Sequence, residues 1–167
     1  MYLRLFGLIK KKALMIKINV ILKNVNWRKH LKNPHSFIDR KIEKINKKNK
    51  LYKKKILICS LLLSGTEDIK KLNKKFRKKN KSTDILSFPF YKKKHLSKRI
   101  KRDKETYLGD IIINLEEINI NKKLKFEHEF NKLWIHGLVH LFGYEHKKDN
   151  DFYIMNKIEK KYLKYVN

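Results

Sequence analysis

Apolar and polar residues alternate through Ile16, Ile18, Val20 and Leu22, the period of a half-buried strand. Asn33-Pro34 then supplies a capping side chain and a first-turn proline. Phe37, Ile38, Ile42 and Ile45 follow on one helical face, and residues 47–50 form a solvated basic end. Residues 56–63 are a continuous apolar run, which predicts a central strand buried on both faces. Thr66-Glu67-Asp68 opens the next helix with a capping hydroxyl and acids in its first turn, and Ile69, Leu72 and Phe76 form its apolar face. Residues 82–90 read as a short strand stopped by Pro89, and therefore as an edge strand or the end of one. Residues 91–107 read as a polar, basic loop and residues 108–114 as another strand.

A short helix is expected from Leu115, and a strong one over residues 127–142. In the strong helix Phe130, Leu133, Trp134, Gly137, Leu138 and Leu141 recur at spacings of three and four. A last helix starts near Asp149 and sets Ile154, Met155, Ile158 and Tyr162 on its core face. No internal repeat stands out. The expected fold is one α+β domain of about four strands in a mixed sheet packed with about five helices, with the metal site at the end of a core helix. The domain spans residues 15–167. Residues 1–14 read as an extension, an upstream start or an organelle-targeting segment. Arg4 interrupts them too early for a secretory signal.

Composition adds a partner class. The chain has 167 residues, one ordinary domain in length, with 41% apolar and 36% charged residues. Its net charge of +28 and pI of about 10.1 favour polyanions such as RNA, DNA or an acidic membrane face. Lys, Asn and Ile all have A/T-rich codons, so genome base bias is a second source of that lysine excess. Cys59 is the single cysteine and sits inside an apolar run, where a buried structural thiol fits better than a nucleophile and a cytoplasmic setting is expected. No stretch approaches the roughly eighteen apolar residues of a membrane span.

The chemistry concentrates in residues 134–146. His136 and His140 lie four apart on the strong helix, so their rings leave the same face about one turn apart. Gly143 can take the left-handed conformation that ends a helix, after which His146 can return to the same point. Three neutral imidazoles suit zinc, one ion per chain, and leave a fourth position for water and hydrolytic chemistry. The spacing also matches the zinc-protease pattern His-Glu-x-x-His-x-x-Gly-x-x-His. Gly137 stands where the protease carries its general-base glutamate, which argues against proteolysis.

With these residues in view, the chain resembles the YbeY family of bacterial endoribonucleases and rRNA maturation factors. Leu72-Asn73-Lys74-Lys75-Phe76-Arg77, followed by Ser82-Thr83-Asp84-Ile85-Leu86-Ser87-Phe88-Pro89, is similar to the family's LNxxYR and PTDVLSFP. Leu108-Gly109-Asp110-Ile111 is similar to LGDI, residues 136–146 to HGxLHLxGYDH, and Met155 with Glu159 to a following MxxxE. The likeness covers about residues 15–165. Two positions depart from it: Ser82 replaces a proline, which is expected only to loosen the loop, and Glu145 replaces an aspartate.

The resemblance implies a single-strand-specific, metal-dependent endoribonuclease acting in rRNA processing and ribosome quality control. It implies His136, His140 and His146 as metal ligands and Arg77 as the functional arginine, with rRNA and the ribosome as partners. A guanidinium suits phosphate, which it grips with paired hydrogen bonds. Asp84, Asp110, Glu129 and Glu145 are candidate partners for the histidines. His30, His35, His95 and His128 read as incidental. Basic tracts at residues 74–81 and 92–104 flank the motifs and offer grips for phosphate. Two alternatives stay open: a ribosome-assembly factor whose metal only holds the fold, and a metallohydrolase of another substrate class. Whether a metal-activated water or the RNA 2′-hydroxyl attacks also stays open.

Overall fold

A computed structural model describes residues 14–48, 55–118, 125–146 and 149–167. Strand β1 (Leu14–Leu22) leads through a 3-10 turn (Val25–Lys29) into helix α1 (Pro34–Lys48). Strand β2 (Lys55–Ser64), helix α2 (Thr66–Arg77) and strand β3 (Ile85–Pro89) follow. Next come helix α3 (Lys93–Arg102), strand β4 (Glu105–Asn114) and a 3-10 turn (Leu115–Glu117). Helices α4 (Phe126–Leu141) and α5 (Asp149–Val166) end the chain. The expected α+β domain with a four-stranded mixed sheet and five α-helices is what these elements build.

The sheet order is β1-β2-β4-β3. The first three strands run parallel, and β3 lies antiparallel to β4 at the edge, where Pro89 costs no ladder bond to a further strand. On one face Leu57, Cys59, Leu61, Leu63, Ile111 and Ile113 are buried in a core that α1, α4 and α5 share. On the other face Ile69 of α2 packs on Leu86 and Ile112 in a smaller cluster. Burying each of those three is worth about 1.5–3 kcal/mol relative to exposure. This asymmetry corrects one expectation. In β2 only one face is fully buried, while Ile56, Ile58, Ser60 and Leu62 are half-buried.

The cap of α1 is as expected: the Asn33 side chain accepts from the Ser36 N–H at 3.0 Å, and Pro34 is the first helical residue. Asn46, near the end of α1, accepts from the Ile16 N–H and donates to the Ile16 carbonyl, which covers part of the free edge of β1. Trp27 in the first 3-10 turn is fully buried and donates its indole N–H to the Ser64 carbonyl at 2.9 Å. It closes the end of the sheet against Phe126 and Phe130.

Four details differ from the sequence reading. Residues 93–102 are helix α3, not loop: two apolar residues, Leu96 and Ile100, spaced four apart, bury it while basic and polar residues fill the rest. Strand β4 starts three residues earlier than expected, because Thr106 is also buried in the sheet. The cap of α2 is Gly65 rather than Thr66, whose N–H instead donates to Glu116. Phe76 is exposed and leans on Phe88 at 5.1 Å instead of entering the core. The extension expected at residues 1–14 falls, except for Leu14 at the start of β1, outside the described residues, as do Asn49 and Lys50 of the expected basic end.

Gly109 explains its own place in the sequence. The pairing of β2 with β4 slips by one residue between Tyr107 and Gly109, so Leu108 is an extra residue in the strand. Gly109 takes φ +133°, and a Cβ there would collide with the Phe88 carbonyl of β3. We predict that Gly109→Ala lowers unfolding free energy by about 2 kcal/mol or more, from backbone strain and the clash together. Urea titration followed by circular dichroism would test this, and a variant with an unchanged midpoint would refute the strain.

Candidate metal centre

Helix α4 lies against β3 and β4. Gly137 permits that approach: a Cβ on it would sit 2.7 Å from Cγ2 of Ile111. The residue that removes a protease's base is therefore also the contact point of helix and sheet. His136 and His140, half-buried, leave the helix beside this contact.

The helix then ends in a tight C-terminal turn. The Gly143 N–H bonds to the His140 carbonyl at 2.8 Å and the Tyr144 N–H to the Val139 carbonyl at 3.3 Å, with Gly143 at φ +82°. These two hydrogen bonds satisfy two of the last carbonyls of the helix. Tyr144 is buried, which anchors the returning chain, and burial pushes its phenol up to about 12. Two residues later the exposed His146 arrives beside the other two histidines.

Ring centroids lie 4.5 Å apart for His136 and His140, 5.0 Å for His140 and His146, and 5.6 Å for His136 and His146. One nitrogen from each ring falls within 4.8 Å of the others. The remaining nitrogens of His136 and His140 have partners. Nδ1 of His140 donates to the Tyr144 carbonyl at 2.9 Å, and Nδ1 of His136 pairs with Oε1 of Glu159 on α5 at 2.8 Å. With both Nδ1 atoms donating, the two Nε2 atoms meet at 3.0 Å through lone pairs. Lone pairs at that distance repel unless a cation lies near them. His140 is held neutral, its pKa lowered to about 4, first by burial and then by the neighbouring His136. Three imidazoles that each offer one nitrogen to one spot are the donor set that a transition-metal ion takes, so the residues present fit such an ion.

Arg77 ends α2, and the left-handed Lys78 then turns the chain with its N–H on the Asn73 carbonyl. Buried Asn73 donates to the Lys81 carbonyl at 2.8 Å and so ties down the loop that leads to β3. That loop has a second tie. Asn114 donates to the Ser82 hydroxyl at 2.9 Å, so serine in place of proline adds a bond rather than only loosening the chain. The result is a cavity of about 670 Å³ lined by Arg77, His140 and His146 together with Lys92, Lys93 and Tyr91.

A scan of known families finds that the family described as Endoribonuclease YbeY matches residues 21–167. The chain belongs to the YbeY family. An Endoribonuclease YbeY of Pelagibacter ubique is 42% identical over 155 residues, covering 91% of this chain and 97% of the relative. Another, of Ehrlichia canis, is 36% identical and covers 89% and 91%. The solution structure of TM1509 from Thermotoga maritima superposes with a TM-score of 0.57 at 28% identity, covering 90% of this chain and 89% of that one.

Of the four acids read from sequence as partners for the YbeY-type histidines, none of Asp84, Asp110 and Glu129 takes that part. Asp84 accepts from the Ile85 N–H, Asp110 from the Tyr107 hydroxyl, and Glu129 pairs with Lys132. Glu145 is exposed on the rim of the cavity. A carboxylate that does meet a histidine is that of Glu159, visible in sequence only as the end of the MxxxE element. Met155, four residues earlier, is core, as its spacing implied. Among the described residues no helix is long and apolar enough to cross a membrane.

Gly137→Glu should not create a protease. We predict instead that forcing a side chain against Ile111 destabilises the fold by about 1–3 kcal/mol or more. Thermal unfolding, with a peptide-cleavage assay alongside, checks both parts. A stable, peptide-cleaving variant would contradict the packing role.

Proposed function

We propose that this chain is a single-strand-specific, metal-dependent endoribonuclease that acts in rRNA processing and ribosome quality control. One observation carries the reading: three imidazole nitrogens lie within 4.8 Å of one another, and two of those rings, His140 and His146, line a cavity together with Arg77. The relatives, named endoribonucleases, supply the substrate class, and the net charge of +28 suits a polyanion. Residues 15–167 act as the catalytic domain. The partners are rRNA and a ribosomal subunit, and the setting is the cytoplasm. Buried Cys59, its thiol pushed up to about 12 mainly by burial, needs no oxidising compartment.

His136, His140 and His146 would hold one ion, which we assign as zinc because three neutral imidazoles form a common open zinc site. When bound, such an ion offers Lewis-acid stabilisation of a phosphate oxygen and a lowered pKa for water. The chain's own groups do the rest. The Tyr144 carbonyl and Glu159 hold the rings in the tautomer that aims Nε2 at the shared spot. Arg77 takes the phosphate by paired hydrogen bonds and offsets the charge that develops on it.

The test is cleavage of single-stranded rRNA fragments by metal-loaded protein, with metal content measured on the same samples. His140→Ala should lose both the ion and the activity. Arg77→Ala should keep one ion per chain and cut about 10²–10³-fold more slowly. Full activity in Arg77→Ala, or an inert wild type with its ion in place, would overturn the proposal. Glu159→Gln should weaken metal binding about 10–100-fold in competition with a chelator, and unchanged affinity would remove Glu159 from the site.

A further inference from the structure

Helix α3 has the sequence KKHLSKRIKR, six cationic residues in ten with no acid among them. Its buried side is Leu96 and Ile100. His95, Lys98, Arg99 and Arg102 stand at i, i+3, i+4 and i+7, so they form a separate stripe along one face. With Tyr91 that stripe lines a cavity of about 460 Å³. Tyr91 also lines the cavity that contains His140, His146 and Arg77. The two cavities therefore meet at one side chain.

Helix-dipole compensation accounts for basic residues in the last turn, which holds Arg99, Lys101 and Arg102. It does not account for His95 and Lys98 one turn earlier, nor for the concavity they share with Tyr91. Asp103, just past the helix, holds the two arginines: its carboxylate meets Arg102 Nε at 2.8 Å and Arg99 Nη1 at 3.5 Å. The Arg102 contact leaves the two terminal nitrogens of that guanidinium outside the bond. The Arg99 guanidinium lies 5.5 Å from the Tyr91 ring. Beside the junction Phe90 is 64% exposed and meets Tyr91 edge-on at 4.9 Å. A run of cations leading away from a candidate cleavage site, with an exposed aromatic face beside it, is the combination that tracks a single nucleic-acid strand.

We propose that the His95–Lys98–Arg99–Arg102 face of α3 is a second phosphate-binding subsite, which holds the backbone of single-stranded RNA beyond the bond to be cut. The subsite rests on the reading of the neighbouring cavity as the RNA-cleaving centre. It makes affinity depend on RNA length: a short oligonucleotide occupies the first cavity alone, and a longer one crosses Tyr91 onto α3.

The experiment uses the zinc-loaded full chain and a doubly substituted chain, Lys98→Ala with Arg102→Ala. Binding of a short and a long 2′-O-methylated single strand is followed by fluorescence anisotropy over a salt series. Cleavage of ordinary RNA is measured in parallel. The double variant should bind the long strand about tenfold more weakly and the short strand as before. The slope of log affinity against log salt should fall by about 1.4 for the two lost phosphate contacts. On long RNA, KM should rise with kcat unchanged. A control that removes equal charge at the opposite end of the sheet, Lys29→Ala with Lys32→Ala, should bind the long strand as wild type does.

Wild-type affinity and slope in the double variant overturn the subsite. So does an equal loss for short and long strands, an equal loss in the control, or polyglutamate binding tighter than RNA. Length-dependent binding without RNA cleavage by the wild type keeps the subsite and removes the nuclease reading, so the two fail separately.

Discussion

The structure depends on how closely helix α4 can approach strand β4. Gly137 faces Ile111, where even a methyl group would come within 2.7 Å of the isoleucine. Protein interiors pack at crystal-like density, so a helix held off by one side chain would shift everything fixed to it. Fixed to α4 here are His136, His140 and, through the turn at Gly143, His146. The same glycine thus denies the chain a protease's base and sets the height at which the imidazoles stand.

The centre is also an electrostatic arrangement within a very basic chain. With 44 Lys and Arg against 16 Asp and Glu, each carboxylate has cations to choose from. Yet Glu159 meets His136, while Asp84 and Glu116 bind backbone N–H groups. Burial keeps His140 neutral, and its Nδ1 is committed to a carbonyl. The nitrogens left over face one another, a costly arrangement for a pair of lone pairs and a favourable one around a cation. Arg77 stays exposed at a helix end, where a ligand can reach it.

Much of this was legible in the amino-acid order because the signals are local. The four strands, and the helices beginning at Pro34 and near Asp149, follow from apolar period and caps. The histidine spacing and Gly143 place three rings together without any long-range information. What escaped the sequence depends on distant partners. Glu159 lies 23 residues from His136, and only packing of α5 on α4 brings them together. Helix α3 was hidden because two buried residues suffice to hold it, too few to show a period among lysines. Trp27 gave no signal of its role, since its partner Ser64 lies 37 residues away at the end of β2. Phe76 looked like core by spacing, but α2 covers too little of the sheet to bury it.

The central claim is that the fold brings three imidazoles onto one ion. X-ray absorption at the metal edge of the zinc-loaded protein tests it most directly. The account predicts one ion per chain with three imidazole nitrogens at about 2.0–2.1 Å and one further light atom. An ion bound by fewer than three imidazoles, or at sulfur, would contradict it.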